Sequence, residues 1–168
     1  FQPERAQWSN GIFYGDASGG LFSSIASIRR CGCAVICMEN TQSMQFAAEK
    51  IKDSGNTNII LTERGTMFGY NDLVVDYRSI PILKSYGLPV VLDITHSLQE
   101  PNNISGLTGG KPELIETIAK AGVAIGIDGI FLETHFNPND SKSDSKNMLD
   151  LNILEDLLVK LLRIKKSI

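Results

Sequence analysis

"GIDGIFLETHFNPND", Gly126–Asp140, begins as a buried strand and ends in chemistry. Ile127, Ile130, Phe131 and Leu132 are apolar with little alternation, the pattern of a strand covered on both faces. The run then delivers Glu133, Thr134 and His135. Earlier, "LPVVLDITHS", Leu88–Ser97, does nearly the same with Asp93 and His96. His96 and His135 are the 2 histidines of the chain. Two apolar strands that both end in Thr-His set the fold class and the place to look for a site.

Working outward, the chain after residue 40 alternates. "TQSMQFAAEKIKDSGN" reads as a helix with Met44, Phe46, Ala47 and Ile51 on its inner side, stopped by Gly55 and Asn56. "TNIILTERG" is a strand ending in Glu63 and Arg64. "NDLVVDYRSIPILKSYG" reads as a helix broken or turned by Pro81. "KPELIETIAKAGVAIG" is a helix with Pro112 near its first turn. "LDLNILEDLLVKLLRIKK" is a closing amphipathic helix. Strand, helix, strand, helix, strand, helix is the signature of parallel βα units, an α/β class. Ligands of such folds meet the carboxyl ends of the strands, where "TERG", "DITHS" and "ETHF" all fall.

Before residue 40 the chain is rich in Gly and Ser and shows no period. Leu21 to Ile28 is a candidate helix and Ala34 to Met38 a short strand. The boundary divides residues 1–40, unassigned, from 41–168.

Composition narrows the function. At 168 residues and net charge −3, the chain is most simply one domain with no basic face for nucleic acid. No apolar run reaches the roughly 18 residues of a membrane span. Cys31, Cys33 and Cys37 make a poor disulfide framework and lack paired zinc spacing, so cytoplasm is the default compartment. "VKLLRIKK" reads as the solvated edge of a packed helix. The first residue is Phe1, so a fragment or processed product is one expectation.

At the rim, His96, Glu133 and Asp144 supply N and O donors suited to a divalent ion such as Mn²⁺, Fe²⁺ or Zn²⁺. The plainer reading is that each caps a strand or bonds a loop. Arg64 beside Gly65 suits bidentate phosphate or carboxylate binding, or else a salt bridge with Glu63 or another acid. "ISGLTGGKPE" fails as a phosphate loop, because Ser105 stands where Gly is needed and Pro112 follows Lys111. It reads better as a lid beside the site.

Taken together, "ERGTMFGYNDLVVDYRS", "DITHSLQ", "GIDGIFLETHFNP" and the "SD" of the last loop resemble the 3-deoxy-D-manno-octulosonate 8-phosphate synthase family, from about Met44 to Ile168. The resemblance implies a TIM barrel, here a partial one of roughly the last three βα units, and a cytoplasmic transferase of lipopolysaccharide precursor synthesis. The family condenses phosphoenolpyruvate with D-arabinose 5-phosphate and releases phosphate. By motif, Arg64 would hold a phosphoenolpyruvate anion. His96, Glu133 and Asp144 would be metal ligands, with His96 and Asp144 catalytic. Gln99 would lie in the site and Asp93 would support it. In the metal-independent branch the same positions would bind substrate directly, and no cofactor is implied. "SDSKNM" looks more like the metal-dependent form. His135 matches the family word but receives no role. A homotetramer is the family's assembly.

The family's early strands, with their lysines, are not matched, and "CAVICMENTQ" stands where a lysine-bearing strand belongs. A truncated or frameshifted product is the expectation, weakly stable or self-associating through open sheet edges and with little synthase activity. Two other readings stand beside the synthase. One is a non-catalytic barrel fragment that binds metal or phosphate or associates with other subunits. The other is the related synthase that uses erythrose 4-phosphate. A flavodoxin-like domain fits the βα order but leaves the motifs unexplained.

Overall fold

The apolar runs of the sequence become short parallel strands. In chain order the elements are β1 (Gly15–Asp16), β2 (Ala34–Cys37), α1 (Thr41–Asp53), β3 (Ile59–Glu63), β4 (Thr66–Met67), β5 (Leu73–Val74), α2 (Ser79–Lys84), β6 (Val90–Asp93), β7 (Gln99–Glu100), β8 (Gly109–Gly110), α3 (Ile115–Ile125), β9 (Gly129–Phe131), β10 (Glu133–His135), β11 (Leu149–Asp150) and α4 (Leu154–Ser167). The computed structural model describes residues 15–16, 34–37, 40–67, 72–100, 109–141 and 146–168. The helix expected over Leu21 to Ile28, residues 104–108 of the lid expected in "ISGLTGGKPE", Cys31, Cys33 and Asp144 lie outside the described residues.

One sheet has the order β2-β3-β6-β9, parallel throughout. Each strand joins the next through a helix (α1, α2, α3), as parallel neighbours require. The strand expected at Ala34 is present and pairs with β3 from Ala34↔Ile59 to Cys37↔Thr62. The run "IDGIFLETH" is two strands rather than one. The chain leaves the first sheet at Leu132 and enters a second, ordered β1-β10-β11 and also parallel. Among the described residues the two sheets do not close into one ring.

The core lies where the sheet meets its helices. Leu61, Val90 and Leu92 from the strands and Ile94 just after β6 pack with Met44, Ile80, Leu83, Ile115 and Ala119 from the helices, all buried. Helix α1 starts at Asn40, whose Oδ1 accepts from Gln42 N (2.8 Å) and Ser43 N (3.3 Å). It buries Met44 and Ala48, with Ala47 and Ile51 half-buried against the core. Phe46 was expected inside and is 54% exposed. At about 100° per residue it stands some 200° round the helix from Met44, off the apolar stripe.

The helix expected over Asn71–Gly87 is a second correction. Among the described residues of this stretch, only Ser79–Lys84 is helical. Leu73–Val74 instead pairs antiparallel with Thr66–Met67. The Asp76 carboxylate accepts from Arg78 N (3.0 Å), and Asp76 O accepts from Ser79 N (2.9 Å), so the chain turns before it can coil. Pro81 falls in the first turn of α2, where a missing N–H costs nothing.

Helix α3 ends as its sequence predicts. Gly126 takes φ +92°, Gly126 N donates to Val123 O (3.0 Å) and Ile127 N to Gly122 O (3.2 Å). Gly122 allows α3 to lie close on the sheet, because a Cβ there would sit 2.4 Å from Leu92 Cδ2. Helix α4 packs on α3 through buried Leu157 and Leu161, while Lys160 and Lys120 reach Glu116 at the surface. "VKLLRIKK" thus lies on a packed helix, with Leu161 inside and its lysines and Arg163 on the exposed side. No helix among the described residues is long and apolar enough to cross a membrane.

Candidate functional site

All three polar strand ends face one rim, and the structure shows how each side chain is carried there. Strand β6 ends in Asp93, and its carboxylate folds the next turn. Oδ1 accepts from Thr95 N (3.0 Å) and His96 N (2.8 Å), and Oδ2 meets His96 Nδ1 at 2.8 Å. This arrangement puts the proton of a neutral imidazole on Nδ1 and aims Nε2 away from Asp93. Nε2 lies 3.6 Å from Glu133 Oε1. The Phe131 ring flanks His96 at 5.5 Å between centroids.

Glu133 arrives from β10. Its backbone N donates to Thr95 Oγ1 (2.8 Å), which ties the end of β6 to the start of β10. Asp93, Thr95, His96 and Glu133 are all buried. Two carboxylates on one buried imidazole explain its proton affinity. Burial alone pulls the His96 pKa down and the Arg64 charge does the same, but the Asp93 bond and the charges of Asp93 and Glu133 outweigh them and leave it raised.

Arg64 lies beside this cluster at the end of β3. Its Nη2 donates to Gln99 Oε1 at 3.2 Å, so the two expected substrate-binding groups touch each other. Glu63, considered as the salt-bridge partner of Arg64, is engaged otherwise. Oε1 accepts from Gly65 N (2.8 Å) and Oε2 from Ser79 Oγ (2.5 Å).

The structure therefore brings together Asp93, His96 and Glu133, and pairs Arg64 with Gln99. Asp144 lies outside the described residues, and among those described no group of three His, Cys, Asp or Glu is placed to hold a metal ion. His96 Nε2 and Glu133 Oε1 are close enough to share one cation, and Asp93 on Nδ1 is the outer carboxylate that such histidines characteristically have. His135 parts company with His96. Its Nδ1 sits against Asn137 O (2.7 Å) and Asn137 N (3.0 Å) of the following loop.

Sequence reasoning passed over Thr95 and Ser79, and it gave Glu63 the wrong partner. Thr95 had a signal, since it repeats in both "TH" words. Ser79 had none, because its partner lies sixteen positions away in sequence. A further brace joins the ribbon β7–β8 to the last loop. Buried Asn147 accepts from Lys111 N (3.2 Å) and packs where a Cβ on Gly110 would otherwise stand. Lys111 also pairs with Asp72 (2.5 Å) and Glu100 (3.1 Å).

Glu63 gives this region a pH signature. Burial pushes its carboxyl above the usual value of 4.5, Asp76 adds to the rise, and the Ser79 and Gly65 bonds oppose it. The folded chain thus holds the Glu63 proton more tightly than the unfolded chain does. Glu63 favours folding below its unfolded pKa, and that contribution is lost as pH rises through the raised value. Glu63→Gln, which cannot titrate, is expected to lose less stability than the parent over that rise. Urea midpoints of both proteins across the acidic range measure it, and parallel profiles would contradict it.

Residues 36–168 match the model of the DAHP synthetase I family. The chain is 50% identical over 119 residues to the 2-dehydro-3-deoxyphosphooctonate aldolase of Agrobacterium fabrum, covering 71% of this chain and 42% of that protein. It is 46% identical over 128 residues to the enzyme of the same name from Koribacter versatilis, covering 74% and 46%. That name denotes the octulosonate 8-phosphate synthase whose motifs the sequence resembles. Among solved structures, the phospho-2-dehydro-3-deoxyheptonate aldolase (DAHP synthase) of Thermotoga maritima superposes with a TM-score of 0.69 at 26% identity, over 93% of this chain and 45% of that one. The chain spans less than half the length of these relatives.

Proposed function

The chain belongs to the DAHP synthetase I family, and we propose that its rim is part of the active site of a synthase that joins phosphoenolpyruvate to D-arabinose 5-phosphate. The fold we propose is part of a TIM barrel, with β2, β3, β6 and β9 as successive barrel strands and β10 continuing the last of them. The observation that carries the reading is the buried Asp93–His96–Glu133 cluster beside the Arg64–Gln99 pair, at the carboxyl ends of parallel strands.

In this reading Arg64 binds an anionic group of phosphoenolpyruvate, since a guanidinium offers paired donors to a phosphate or carboxylate. Gln99 holds Arg64 before substrate arrives. The enol carbon attacks the sugar aldehyde, whose oxygen takes up a proton and becomes a hydroxyl. Water adds at the neighbouring carbon and loses a proton. The resulting adduct expels inorganic phosphate and leaves a ketone. His96 is the group placed to hold and pass a proton, at Nε2, while Asp93 keeps Nδ1 protonated and the ring in place. His96 and Glu133, with Asp144 from the last loop, would hold a divalent ion in the metal-dependent form; such an ion polarises the aldehyde or the water when bound. Without a metal, the same groups contact substrate directly. Cytoplasmic localisation and a homo-oligomeric assembly belong to this proposal.

The test is phosphate release by the purified chain with phosphoenolpyruvate and either arabinose 5-phosphate or erythrose 4-phosphate. Release with arabinose 5-phosphate is expected to exceed that with erythrose 4-phosphate, and the reverse order would favour the heptonate synthase. The lack of a lysine in "CAVICMENTQ", where the family's lysine-bearing strand belongs, favours a second reading, a unit that binds without turnover. Calorimetry separates the two. Mn²⁺ binding that is lost in His96→Ala and in Glu133→Gln, with no phosphate released, would support the second. Absence of both binding and release defeats both.

A further inference from the structure

Glu63 is a buried carboxylate that the proposed reaction does not use. A buried carboxylate without partners costs several kcal/mol, so its surroundings ought to be organised around it. They are. It closes a turn onto Gly65 N, two residues ahead, and receives the Ser79 hydroxyl from the first residue of α2. Gly65 holds φ +86°, and a Cβ there would come within 3.3 Å of Leu73 Cβ and 3.4 Å of the Val74 backbone. The turn is therefore pressed against the β4–β5 ribbon on one side and pinned to α2 on the other. Arg64 is the residue between the two ends of this turn.

We propose that Glu63 is a positioning residue for Arg64: its two hydrogen bonds set the direction in which the guanidinium leaves the end of β3, toward Gln99 and the anion of the substrate. This rests on the reading of Arg64 as the anion-binding group. Burial keeps Glu63 from competing as a solvent-exposed counter-ion, and its acceptor oxygens are already taken by Gly65 and Ser79. Ser79 contributes through the second of these bonds.

The experiment titrates phosphoenolpyruvate calorimetrically into the chain and into Glu63→Gln, Ser79→Ala, Arg64→Ala and the Glu63→Gln/Arg64→Ala double variant, with thermal melts on each. It also follows the Arg64 Nε–H resonance. Arg64→Ala is expected to abolish binding, and Glu63→Gln to weaken it by about tenfold, with Ser79→Ala less affected. The double variant should be no worse than Arg64→Ala alone. In the free protein, the Arg64 resonance should shift or broaden in Glu63→Gln and, more weakly, in Ser79→Ala. Equal binding by Glu63→Gln and the parent, where Arg64→Ala fails to bind, would overturn the positioning role. So would an unmoved Arg64 resonance in both Glu63→Gln and Ser79→Ala, whatever the binding result. If Arg64→Ala binds as well as the parent, the anion-binding role of Arg64 fails instead. Should Glu63→Gln not fold, Ser79→Ala carries the same comparison with the hydroxyl alone removed.

Discussion

Replacing Asp93 by alanine is expected to destabilise the protein by about 3–5 kcal/mol, the range for removing one partner of a buried charged pair. The loss is large because one carboxylate does three jobs. It accepts from two backbone N–H groups, those of Thr95 and His96, and from the His96 ring. All three donors would be left in a site that excludes water, which is costlier than never having had the partners. Asp93→Asn keeps an acceptor for the backbone N–H groups, so a smaller loss is expected, about 1–2 kcal/mol. It removes the negative charge that faces Nδ1, so binding at Nε2 should weaken more than stability does. Urea unfolding of both variants with Mn²⁺ titrations separates these effects. An alanine variant within about 1 kcal/mol of the parent would show that the Asp93 network is dispensable to the fold.

Leu92→Ala is the second large effect. Leu92 is fully buried at the centre of the four-stranded sheet. Leu to Ala in such a place costs about 2–5 kcal/mol. Gly122 makes the prediction sharper. A methyl group added there meets Leu92 Cδ2 at 2.4 Å and Ile127 Cδ1 at 3.0 Å. Gly122→Ala should gain about 1 kcal/mol in helix propensity but lose about 1–3 kcal/mol to overpacking, a net loss. In the Leu92→Ala background the closest contact is gone, only the flexible end of Ile127 has to give, and the same change should become stabilising. The cycle is expected to show a favourable coupling of about 1 kcal/mol or more. Additive values within about 0.5 kcal/mol would mean that α3 shifts to absorb the methyl, and the close approach would not be rigid.

The parts of the fold that were legible in the sequence are those written in local pattern. Apolar runs bounded by Gly, Asn and Pro placed β3, β6, β9 and helices α1, α3 and α4. Gly126 ended α3 where a left-handed cap belongs. The segment from Asn71 to Arg78 misled because Val74 and Val75 fit a helical stripe as well as a strand. The Asp76 turn and a partner ribbon at Thr66–Met67 decided against the helix. Phe46 misled because an apolar residue on a surface helix is not obliged to face inward.

The candidate site divides in the same way. The sequence by itself determined the βα order, the acidic, basic and imidazole groups at the strand ends, and the family to which those words belong. Each is a matter of residues near one another in the chain. Only the tertiary structure decided that His96 meets both Asp93 and Glu133 whereas His135, with the same neighbour Thr, turns to Asn137. Only it decided that Glu63 serves Gly65 and Ser79, and that Arg64 reaches Gln99. Glu133 lies 38 positions from Thr95 and Ser79 lies 16 from Glu63. Periodicity carries no information over such separations. Parallel strands packed about 4.8 Å apart bring their ends within hydrogen-bond reach, and burial then forces each polar group to take the partner at hand.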